Sequence, residues 1–189
     1  MLEGGSIPTR RYWVISTPAM TMYATRLGHQ RWSISRIADA RELNYGRQVS
    51  LVAGADGHIH VLYFGLDCTD FNHLVYDPTW LIWMPVSPPE VTAISGQPEE
   101  GCVGFVSAQE SADGILHVAY YDPAVDALRY ARRMPGSSIW ESSLIVQGGG
   151  RFAALAIGAE NEPHIAFSVD GNLMYACEHG DSWVARARG

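Results

Sequence analysis

Three segments of this chain can be written one under another without a gap, and such internal repetition confines a chain to folds built from stacked, equivalent units. The segments run from Ser50 to Phe64, from Ser107 to Tyr121 and from Ala154 to Ser168. In that alignment His60, His117 and His164 share one column, and Tyr63, Tyr120 and Phe167 another. Each segment reads as two short strands about a tight hairpin. Asp56-Gly57, Asp113-Gly114 and the related Glu160-Asn161 supply residues that tolerate the positive φ of such turns. The second strand alternates polar or aromatic with aliphatic residues, as a strand packed between two layers does.

Two further strands complete each unit. The third carries a tyrosine signature, read at Leu74-Val75-Tyr76, Leu128-Arg129-Tyr130-Ala131 and Leu173-Met174-Tyr175-Ala176. The fourth opens on tryptophan, at Trp140 and Trp183, with Trp80 and Trp83 both eligible in the earlier copy. A shorter copy precedes these three: Tyr12 to Ser16 stands at the second-strand position, Tyr23 at the tyrosine position and Trp32 at the tryptophan position. Its first strand is missing. Four-stranded units recurring at this spacing predict an all-β chain, a β-propeller of antiparallel blades. The expected division is one domain over residues 1–189, with blades near 10–39, 47–90, 101–147 and 151–188. Three blades are full and one lacks its innermost strand.

The run of apolar strand, Asp-Gly, Pro-His-Ile-Ala-Tyr, Leu-x-Tyr-Ala and tryptophan strand resembles the blade repeat of bacterial sialidase-like propellers. Pro163-His164-Ile165-Ala166-Phe167 is its best match, and the resemblance extends over roughly residues 12 to 188. Ser111-Ala112-Asp113-Gly114 echoes the Asp-box, Ser-x-Asp-x-Gly-x-x-Trp, without its tryptophan. The resemblance implies the propeller fold, and a glycan-active enzyme as one reading of the activity.

An unpaired strand edge is a template for association. The thin first blade therefore predicts a ring completed by a second chain, most simply a homodimer sharing one ring. The alternatives are a closed monomer with one thin blade and a piece of a longer propeller. A partner chain that adds the missing strand is a further reading.

Composition narrows the partners. The formal net charge of −7, with every one of the 13 basic side chains an arginine, disfavours a general nucleic-acid-binding face. Cys68, Cys102 and Cys177 form neither a disulfide framework nor a CxxC pair. No apolar run approaches the roughly 20 residues of a membrane span, and residues 1–11 lack a signal-like apolar core. A cytoplasmic location is the default expectation, with no membrane, metal or cofactor.

Recurrence decides how the histidines are read. A residue found once per blade, like His60, His117 and His164, is expected to hold blades together by hydrogen bonds rather than to bind a metal. Ligand chemistry is expected where copies differ, on the loops between strands two and three and between blades. Asp67, Asp70, Asn72, His73, Asp122, Asp126, Asp170 and Arg151 are the candidates there. Asx-turns explain the same acids without a ligand. A non-enzymatic binding or scaffolding module, its loop face engaging a glycan or a protein, is the expected function. No catalytic residue is assigned: strand alternation sends Arg132 and Arg133 to opposite faces, which breaks up an arginine cluster.

Overall fold

The computed structural model describes residues 12–17, 20–27, 31–37, 49–64, 71–89, 105–180 and 182–187. Asp67, Asp70, Cys68 and Cys102 lie outside the described residues. The described chain forms strands only, with no helix. The first sheet holds β1 (Tyr12–Thr17), β2 (Met20–Arg26) and β3 (Trp32–Arg36). The second holds β4 (Val49–Ala53), β5 (Ile59–Phe64), β6 (Phe71–Asp77) and β7 (Ile82–Val86). The third holds β8 (Val106–Glu110), β9 (Leu116–Asp122), β10 (Ala127–Arg133) and β11 (Glu141–Gln147). The fourth holds β12 (Arg151–Ile157), β13 (Pro163–Val169), β14 (Asn172–His179) and β15 (Ser182–Ala187). Each sheet is an antiparallel meander in sequence order, three-stranded in the first and four-stranded in the others.

Strand alternation builds the core. In β5, Ile59, Val61 and Tyr63 join Tyr23 and Leu74 in the packing between the first and second sheets. The alternate residues Leu62 and Phe64 meet Val118 and Tyr120 between the second and third. Ala119, Leu128 and Tyr130 then pack on Ile165 and Phe167 of the fourth sheet. β5 and β9 are consequently buried on both faces. β13 is not: Ile165 and Phe167 are buried, whereas Ala166 between them is exposed.

The innermost strands are tied side by side. Ser50 Oγ accepts from the Ala108 amide at 2.9 Å, and Ser107 Oγ accepts from the Leu155 amide at 3.0 Å. Gln109 Oε1 accepts from the Ile157 amide at 3.0 Å. These amides point off the free edge of β8 and β12, so each inner strand satisfies the edge donors of the next.

The tryptophans follow one rule. Trp83, Trp140 and Trp183 each lean onto the sheet before their own. Trp83 meets Tyr23 at 5.3 Å between centroids, Trp140 meets His73 at 5.8 Å, and Trp183 meets Tyr130 at 4.8 Å. Trp83 is thus the repeat tryptophan of the second sheet, while Trp80 is a turn residue, 72% exposed.

The tyrosine column needs one correction. His60 pairs with Val75, His117 with Arg132 and His164 with Cys177 in the strand registers. Counting back two residues gives His73, Tyr130 and Tyr175. His73, not Tyr76, is therefore the second sheet's member; Tyr76 lies three residues on and stacks beside Tyr23 at 6.3 Å.

Candidate functional site

The column residues form short hydrogen-bonded pairs inside the second, third and fourth sheets. His117 Nδ1 lies 2.6 Å from the Tyr130 hydroxyl and its Nε2 lies 3.0 Å from Ser111 Oγ. His164 Nδ1 lies 2.6 Å from the Tyr175 hydroxyl. In the second sheet His60 Nδ1 meets His73 Nε2 at 3.0 Å. The expected bonds between blades are corrected: these histidines tie strand two to strand three of one sheet. Burial pushes His60 down to about 4, with the Arg133 charge adding to it, and burial likewise pushes His117 to about 4. Both rings are neutral at physiological pH, and no cluster among the described residues has the composition of a metal site.

The loop-side candidates are mostly spent on turns. Asp122 is fully buried, 3.2 Å from Arg129 Nε, and accepts from the Ala124 amide. Asp126 has φ of 47° and accepts from the Tyr121 hydroxyl at 2.7 Å. Its carbonyl accepts from the Gly148 amide at 2.7 Å. Asp170, φ 49°, turns the β13–β14 hairpin with Gly171. Arg151 sits over the Tyr121 ring at 5.4 Å. Asn72 is paired with Tyr63 across β5 and β6, and His73 faces the core. The structure thus groups Tyr121, Asp126 and Arg151, but as a closed turn between sheets. Burial first, and Asp126 second, push the Tyr121 hydroxyl up, which is opposite to what a phenolate nucleophile needs.

An open site lies at the other end of the strands. The second and third sheets diverge there into a cleft of about 700 Å³. Val75, Met84 and Leu116 give it an apolar floor, and His60 reaches it from β5. Arg133, the last residue of β10, enters from the third sheet, and Ser137 and Ser138 follow on the turn. The hairpin residues Asp56, Glu110 and Asp113 form the rim.

These rim acids are already engaged. Asp56 takes the His58 amide and ring nitrogen, each at 2.9 Å. Its burial raises the carboxyl, but the His58 bonds outweigh that and hold it below the ordinary range. Glu110 takes the Ala55 amide across the two sheets at 2.9 Å. Asp113 takes the Ser111 hydroxyl, which holds its carboxyl low.

Arg133 is engaged differently. Alternation puts it on the face opposite Arg132, as the sequence leads one to expect. Arg132 pairs with Glu141 at 2.8 Å and reaches Glu178 at 4.0 Å on the fourth-sheet side. Arg133 turns toward the second sheet, its guanidinium 5.1 Å from the Trp140 ring. Among the described residues it forms no ion pair, and burial alone pulls its proton affinity down. A half-buried guanidinium with an aromatic brace and no counter-ion is poised for an anionic group. Composition gave no signal for this site. Only the strand parity of Arg132 and Arg133, followed from β10 into its neighbours, could have found it.

No family model matches the chain, and no curated protein resembles it closely enough to count. Solved structures do resemble it in fold. A protein of unknown function from Dyadobacter fermentans DSM 18053 superposes with a TM-score of 0.60 at 13% identity, over 90% of this chain and 52% of that one. A polysaccharide lyase, an ulvan lyase bound to -[GlcA(1-4)Rha3S]-, gives 0.57 at 11% identity, over 88% and 48%. An α-L-arabinofuranosidase from Clostridium thermocellum ATCC 27405 gives 0.53 at 11% identity, over 96% and 70%. Identities this low speak to fold alone. The chain spans about half the length of the first two.

Proposed function

We propose that the four sheets are blades of a β-propeller and that the chain is a non-enzymatic module binding a glycan in the cleft between the second and third. Arg133 carries this reading. A positive group with no ion pair among the described residues, in a cleft that Val75, Met84, Leu116 and the turn serines also line, suits a sugar that bears a carboxylate or sulfate. The rim acids and hydroxyls suit sugar hydroxyls. Two of the solved structures alike in fold are a polysaccharide lyase and an α-L-arabinofuranosidase, which supports a glycan over a protein ligand.

Binding is favoured over hydrolysis by the state of the acids. Glycoside hydrolysis needs one carboxyl kept protonated near neutral pH. Asp56 and Asp113 are both shifted the other way. A glycan array containing neutral, uronate-bearing and sulfated oligosaccharides tests the reading. Retention of anionic members, lost in Arg133→Met, is expected. Retention of none, or retention that Arg133→Met leaves unchanged, would overturn it.

A further inference from the structure

Among the described residues the tryptophan rule leaves one knob and one socket unused, at opposite ends of the array. In every sheet the tryptophan lies three residues before the partner of the column residue: Trp32 before Ser35, Trp83 before Val86, Trp140 before Ser143 and Trp183 before Arg186. Three of these seat on a preceding sheet, whose column residues Tyr23, His73 and Tyr130 are 8%, 2% and 2% exposed. Trp32 belongs to the first sheet, which has no sheet before it among the described residues. It is 41% exposed, beside Ile34 at 61% on the same face.

The socket is on the fourth sheet. Its outward face carries Tyr175 in the column, with Cys177, Val184 and Arg186 around it, and opens into a depression of about 400 Å³. The position equivalent to buried Leu62 and Ala119 is the exposed Ala166. We propose that Trp32 of one copy seats in this depression on a second copy, so that two chains close one ring through two identical head-to-tail seams.

Three observations favour a second copy as the occupant. The seam continues an interface that the chain already builds three times, each with a tryptophan seated on the preceding sheet's column residue in the same register. The inner-strand link agrees as well. Ser50 and Ser107 accept from the following sheet's inner strand, whereas their equivalent on the fourth sheet is Ala154. The first sheet begins, among the described residues, at the second-strand position and offers no inner strand to receive such a bond. Arg186 stands where Ser143 accepts from Trp183 Nε1 at 3.0 Å, so a guanidinium would face the Trp32 indole. Burial of a tryptophan in such a socket is the usual anchor of an interface.

The test is the solution mass of the full chain by light scattering over a dilution series, with Trp32→Ala and Val184→Glu beside the wild type. Twice the monomer mass is expected for the wild type. Each variant should dissociate at concentrations at least about tenfold higher, with unchanged far-UV circular dichroism. Mixing the variants should restore a heterodimer, because that pairing keeps one intact seam. As a readout independent of mass, Cys177 in a Cys68→Ser, Cys102→Ser background should resist thiol labelling in the dimer and react in Trp32→Ala. A wild-type monomer at every concentration, or a dimer that either substitution leaves intact, would overturn the proposal.

Discussion

The hydroxyl of Tyr130 and Nδ1 of His117 lie 2.6 Å apart, both side chains buried, and the pair joins strands two and three of the third sheet. His164 and Tyr175 repeat it at 2.6 Å. A buried polar pair of this kind contributes modestly when made and costs more when half of it is removed. Tyr130→Phe leaves His117 Nδ1 without its partner and should lower unfolding free energy by about 1–2 kcal/mol. Urea denaturation of the two proteins measures it.

Two buried histidines of the column, His60 and His117, set an acid limit. Burial holds His60 and His117 at about 4, against about 6.5 in an unfolded chain. Below 6.5 the unfolded chain takes up protons that the folded chain refuses, so folding is favoured above that pH and weakened as pH falls toward 4. Each ring can contribute up to about 3 kcal/mol to that loss. Denaturation midpoints should fall steadily between pH 7 and pH 4, and more gently in His117→Gln.

A glycine sets the turn from the third sheet to the fourth. Gly150 has φ of 93°, and a Cβ there would stand 2.3 Å from Leu128 Cβ. Gly150→Ala combines backbone strain with overpacking and should cost more than about 2 kcal/mol. Gly136, φ 71° with nothing within 4 Å, should cost only about 1 kcal/mol on the same change. Thermal melts of both variants separate the contributions.

The serine link between inner strands should be measurable too. Removing Ser107 Oγ strips the Leu155 amide of its acceptor. Ser107→Ala should destabilise by about 1 kcal/mol, and Ser107→Thr, which keeps the hydroxyl, by less. Hydrogen exchange at the Leu155 amide should accelerate in the alanine variant alone.

The strands were legible because hairpin chemistry and alternation act locally. Asp56-Gly57 and Asp113-Gly114 mark turns wherever they occur, and Trp140 and Trp183 open strands at a fixed offset from the column. The second sheet's column residue was less legible: aligning on tyrosine selects Tyr76, yet His60 and His73 are separated by 13 residues, as are His117 and Tyr130. Chemical likeness hid the position, and spacing is no certain guide, since His164 and Tyr175 are 11 residues apart. The cleft was not legible at all. Acids such as Asp122 and Asp126 look like ligands in sequence but close turns, whereas Arg133 acquires its meaning only from Trp140 beside it and the neighbouring sheet opposite. Contacts between sheets depend on how the sheets pack, which no local pattern encodes.

Direct titration of the chain with an anionic oligosaccharide retained on the array, beside Arg133→Met and the neutral counterpart of that sugar, tests the binding reading most directly. Saturable binding to the wild type is expected, weakened at least about tenfold in Arg133→Met and by the neutral sugar alike. Equal affinity of the two proteins, or no preference for the anionic sugar, would contradict a glycan site built on Arg133.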